Sequence, residues 1–175
     1  MKKLKVLSLL FLFSISWSSQ ASQENYNDMS IDELKQKASE LHPSGIYILA
    51  GKLFKADKKD DAVFWFYVGQ IRFRVHLAAN PKLEPSGDPA LFSSLNYTLG
   101  QPINEYAGGD PDTWVKQTKK AKQWDSDNPN KTTPKEKNKT VYNQILSGLD
   151  QMINNIEQNK EMLRKQRDAR GLENR

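Results

Sequence analysis

The segment from Ala62 to Ala79 constrains this fold more than any other: about 18 residues run on without a turn, longer than the roughly 5–6 residues of a typical strand. Its opening, Ala62-Val63-Phe64-Trp65-Phe66-Tyr67-Val68, is apolar on every face. Such a stretch suits a helix buried on all sides or a central strand, and the length favours helix. The alternation Gln70-Ile71-Arg72-Phe73-Arg74-Val75 is the one feature that favours a strand. Upstream, the apolar residues from Ile46 form a second helix, and Asp57-Lys58-Lys59-Asp60-Asp61 reads as the tight turn between the two.

Four further helix starts are marked by polar caps. Ser30-Ile31-Asp32-Glu33 is a capping box, in which the Ser30 hydroxyl and the Glu33 carboxylate satisfy each other's backbone amides; Met29 and Leu34 flank it as a hydrophobic staple. Asp88-Pro89 and Asp110-Pro111 pair a cap with a proline whose fixed φ suits the first helical position, and Thr133-Pro134-Lys135-Glu136 combines proline with a capping box. These predict helices over 31–41, 89–99, 111–125 and 134–166. The last three each have an apolar face: Leu91, Phe92, Leu95 and Leu99; Trp114, Ala121 and Trp124; then the long stripe Val141, Ile145, Leu149, Met152, Ile156 and Leu163. Residues 80–87 and 125–133 are polar, proline-punctuated linkers. The expected fold is all-α: a single domain over 22–166 with five to six helices, helix-hairpin packing and a long amphipathic C-terminal helix. Residues 167–175 are expected to fray.

The N terminus carries an address. A basic stretch, Met1 to Lys5, precedes an apolar run from Val6 to Ile15 and the small-residue ending Ser19-Gln20-Ala21, the layout of a secretory signal peptide over residues 1–21. The apolar run falls short of the roughly 20 residues of a membrane span, so export to the periplasm is expected over an uncleaved membrane tether, and no later stretch could span a bilayer. The chain has no cysteine, which excludes a lipid-modified N terminus and a disulfide framework. Its net charge of +5 falls to about +2 once Lys2, Lys3 and Lys5 leave with the signal, too little to suggest a nucleic-acid partner. The remaining basic excess lies after residue 115, on what reads as a solvated helical face.

The two helices around the Asp57–Asp61 turn resemble a single tetratricopeptide or Sel1-like repeat. Leu49, Ala50 and Leu53 carry the resemblance on the first helix, and Ala62, Phe66 and Gly69 on the second. Ile46 stands where an aromatic is usual, Arg74 stands where a proline normally closes the repeat, and no second copy follows. The resemblance covers residues 46–79. It implies close packing of two helices through small residues, and a groove that holds a peptide or partner helix.

No catalytic signature is present. There is no glycine-rich phosphate loop, nucleophile elbow or Cys/His pair, and the only histidines, His42 and His76, lie far apart in sequence. No cofactor, no metal and no enzymatic activity are therefore expected. The expected function is binding of another protein or peptide, as an envelope adaptor or an inhibitor or immunity-type protein. A periplasmic hydrolase using a carboxylate pair is the alternative, because the separation of two acids is a three-dimensional property. Candidate partner-binding residues fall into two groups. Gln70, Arg72, Arg74 and His76 form a polar strip on the apolar helix, able to hold a carboxylate or else to pair with acids such as Glu105 or with helix C-terminal carbonyls. Asn104, Glu105 and Tyr106, ahead of the Gly108-Gly109 pair, line a surface site or a buried connector. Trp65 and Tyr67 add the aromatic character that interface hot spots favour.

Overall fold

A computed structural model of the chain describes residues 25–175; the expected signal peptide lies outside them. The described residues are helical and contain no strand, in the order α1 (Ile31–Lys37), α2 (Pro43–Lys55), α3 (Lys59–Ala79), α4 (Asp88–Leu95), α5 (Gln101–Gly108), α6 (Pro111–Asp127), α7 (Lys139–Gln158) and α8 (Lys160–Ala169). A π-helical turn, Asn96–Gly100, joins α4 to α5 without a break, so the described residues form seven helices where five to six were expected. The alternating stretch 70–75 is helix.

The apolar run is the axis of the fold. α3 packs against α2, α4, α5, α6 and α7, and its buried residues, from Ala62 round to Val75, face every direction. Burial of each large side chain is worth roughly 1.5–3 kcal/mol, and this helix contributes more buried apolar side chains to the core than any other helix. α2 turns back onto it through Asp57, whose φ of 58° lies in the left-handed region that aspartate tolerates; the Lys58 amide then bonds the Leu53 carbonyl at 3.0 Å. The two helices come close enough that a Cβ on Gly69 would sit 2.9 Å from the Tyr47 ring.

Two caps form as the sequence implies. Ser30 and Glu33 make the reciprocal box, with the Ser30 amide donating to Glu33 Oε2 at 2.7 Å, and the Asp110 carboxylate accepts the Asp112 and Thr113 amides. Two do not. Asp88 is already the first residue of α4, with its carboxylate turned towards histidines, and Thr133 is buried while a single 3-10 turn at Lys135–Lys137 delays α7 to Lys139.

Three expectations are corrected. The stretch 101–108 is helix, because the π turn accommodates Pro102, which has no amide to donate and would clash within a regular α-helical turn. The single helix expected over 134–166 is broken at Asn159, where φ is −116° and the side-chain amide bonds the Asn155 carbonyl, competing with the regular ladder. The C-terminal residues, expected to fray, lie back over α5: the Arg175 amide donates to the Gly109 carbonyl at 2.7 Å and its guanidinium stacks 3.6 Å from the Tyr106 ring.

Candidate functional site

The polar strip on α3 divides by depth. Arg72 is fully buried. Its Nε donates to Asp125 Oδ1 at 2.8 Å, Nη1 donates to the Ala38 carbonyl, and Nη2 donates to the carbonyls of Asn128 and Pro129 beyond the end of α6. The guanidinium also lies over the Trp124 ring, 4.8 Å from its centroid. Arg72 is thus a structural pin joining α1, α3 and α6, the pairing with acids and carbonyls that the residue type allowed, and it offers nothing to a partner. Its acid is Asp125, not Glu105. Trp65 is 6% exposed and packs edge-on against Trp124, so it too belongs to the core.

Tyr67, Gln70 and Arg74 come together on one side of α3. With Ile71 they form one wall of a groove of about 410 Å³; Gln144, Ile145, Gly148, Leu149 and Met152 of α7 form the other. The floor is apolar and no carboxylate lines it. Tyr67 closes one end: its hydroxyl accepts from Trp114 Nε1 at 2.8 Å and donates to Asn104 Oδ1 at 3.0 Å. Burial pushes that hydroxyl well above the ordinary tyrosine value, which keeps it neutral and able to do both.

A second hydrogen-bond chain positions the cation. Tyr47 and Gln70 both donate to Asn96 Oδ1, and Gln70 in turn accepts from Arg74 Nε at 2.8 Å. Arg74 also lies over the Phe92 ring at 5.4 Å. Among the described residues no carboxylate pairs with Arg74, so an exposed, oriented guanidinium stands at the groove's rim. The spacing of Gln70 and Arg74 was legible as one helical face. The opposite wall was not, although Gly148 inside a helical stripe, with nothing within 4 Å of a Cβ built on it, is the kind of residue that leaves a surface open.

The remaining candidates lie elsewhere. Asn104 is half-buried and holds Tyr67. Glu105 and Tyr106 line a more open hollow of about 530 Å³ with Phe54, Lys59, Arg167 and Arg175. Tyr106 donates to Asp60 there, and the Glu105 carbonyl accepts from Arg167. His76 points away from the groove to Asp88, 2.8 Å away.

No family model matches this chain, nor does any curated protein or solved structure.

Proposed function

We propose that this chain is an exported envelope protein that binds a segment of another protein in the α3–α7 groove, as an adaptor or an inhibitor. The observation that carries the reading is the groove itself: an apolar floor of Ile71, Ile145, Leu149 and Met152 beside Arg74, a guanidinium held in place without an acid of its own. The complementary occupant is a peptide segment with an apolar side chain for the floor and a carboxylate for Arg74. The absence of a carboxylate from the lining favours binding there over acid-pair hydrolysis. The basic, apolar and small-residue succession of residues 1–21 supports export, and the resemblance of 46–79 to a peptide-binding repeat hairpin supports the mode of recognition.

The test uses two variants that leave the core untouched. Arg74→Ala removes the exposed cation, and Gly148→Phe fills the groove from an open position. Both should melt like the parent while losing recovery of the crosslinked periplasmic partner. Undiminished recovery in both would refute the groove as the binding site.

A further inference from the structure

The hairpin brings the chain's two histidines together at its open end. His42 caps α2, His76 lies in the last turn of α3, and Asp88 opens α4 beside them. One nitrogen of each ring and one carboxylate oxygen all lie within 4.8 Å of one another. Asp88 Oδ2 is 2.8 Å from His76 Nε2 and 3.3 Å from His42 Nε2. We propose that His42, His76 and Asp88 form a binding site for a divalent transition-metal ion of the Zn2+ class, with water completing the coordination shell.

Four features carry this assignment. Two imidazoles and one carboxylate are a ligand set that suits Zn2+ and its neighbours, and the single negative charge partly neutralises the ion. A tetrahedral ion with arms of about 2.0 Å separates its ligand atoms by roughly 3.3 Å; the His42–Asp88 edge already has that length, and the His76–Asp88 edge needs only a small opening. The ligands come from three elements, so their convergence does not follow from one helical face. The side chains are 26%, 12% and 26% exposed for His42, His76 and Asp88, which leaves water a path to the ion.

The outer contacts fit as well. Ligation through Nε2 requires the proton on Nδ1, and each Nδ1 has a hydroxyl oxygen beside it to accept that proton in a hydrogen bond: Ser44 Oγ at 2.8 Å from His42 and Thr133 Oγ1 at 3.4 Å from His76. Here His42 Nδ1 accepts the Ser44 amide at 3.3 Å as the cap of α2, so binding exchanges that cap bond for Nδ1–H···Oγ. On binding, the proton of each ring therefore resides on Nδ1, Asp88 remains a carboxylate, and the ion replaces the N–H···O contacts that now join the rings to Asp88. Phe73 packs edge-on against His42, with centroids 5.4 Å apart, and shields one side of the site. The site is on the far side of α3's terminal turn from the groove, and it stands independently of what the groove binds.

Titration of the purified protein with Zn2+, followed by calorimetry, should show one ion per chain, and Co2+ should give the visible bands of a four- or five-coordinate ion. His76→Ala and Asp88→Asn should each weaken Zn2+ binding more than about tenfold, the scale on which even outer contacts matter, with helical circular dichroism retained. Nitrogen-15 spectra of the parent protein should show both ring systems shifting with Zn2+, a readout that stands if a variant fails to fold. The proposal is overturned if no binding occurs up to about 100 μM Zn2+, if the ring resonances do not move, or if both variants bind as the parent does, which would mark an adventitious surface ion only.

Discussion

Replacing Arg72 with methionine removes the pin between α1, α3 and α6 and leaves a similar volume of apolar stem. Four N–H donations disappear, to Asp125 and to the carbonyls of Ala38, Asn128 and Pro129. Asp125, 1% exposed, keeps Lys135, 3.8 Å away, as its one ion-pair partner among the described residues. Breaking a buried pair from one side costs about 3–5 kcal/mol, a large part of the roughly 5–15 kcal/mol that holds a domain together. At about 2–4 °C per kcal/mol for a chain of this size, the melting temperature should fall by roughly 6–20 °C. Adding Asp125→Asn removes the stranded charge, so the double variant should melt above Arg72→Met alone. Thermal and urea denaturation of the parent, both singles and the double complete the cycle. A fall of less than about 2 °C for Arg72→Met, or a double variant less stable than that single, would refute the reasoning.

Two glycines should respond in opposite directions to alanine. Gly69→Ala forces a Cβ against Tyr47 and should cost about 1–3 kcal/mol, whereas Gly148→Ala meets nothing and should stabilise α7 by up to about 1 kcal/mol, both read from urea melts. Tyr67→Phe strands the Trp114 indole N–H and should cost about 1–3 kcal/mol, with a change in tryptophan fluorescence that reports the lost bond. Asp112 ties the start of α6 to Lys160 and Arg164 of α8, and hydrogen bonds from those two cations lower its pKa below the ordinary aspartate value. The tie is therefore present above that ordinary value and lost as pH falls through the lowered one; amide protection over 160–169, measured against the intrinsic exchange rate at each pH, should fall at acid pH in the parent, and already at neutral pH in Asp112→Ala.

The sequence made some of this architecture readable because the relevant physics is local. A capping box spans four residues, so Ser30 and Glu33 announce α1, and Asp110-Pro111 announces α6 in the same way. The apolar run of α3 was long enough to outweigh the alternation at 70–75. Where a local signal met a tertiary demand, the tertiary demand prevailed. Asp88 turns from its cap towards two histidines, and Thr133 is buried among Asn130, Tyr142 and His76 while α7 starts later. The segment with Asn104, Glu105 and Tyr106 read as a surface site or connector, but a π turn at Asn96–Gly100 lets the helix continue through Pro102.

The candidate site was less legible. Helical spacing put Gln70 and Arg74 on one face and Arg72 on another, which is the division between groove and core that the structure displays. The partners could not be read, because Asp125 lies 53 residues from Arg72 and α7 reaches α3 only through the fold. His42 and His76 were discounted for the same reason: separation along the chain says nothing about two positions that a hairpin folds onto one end.

The groove is tested most directly by a photo-crosslinking residue placed at Gln144, on its α7 wall, compared with the same residue at Lys120, exposed on α6, in cells expressing the full chain. A discrete crosslinked protein should form from Gln144, not from Lys120, and should disappear when Arg74→Ala is added. Equal crosslinking from both positions, no discrete adduct from Gln144, or an adduct that survives the loss of Arg74 would contradict the assignment.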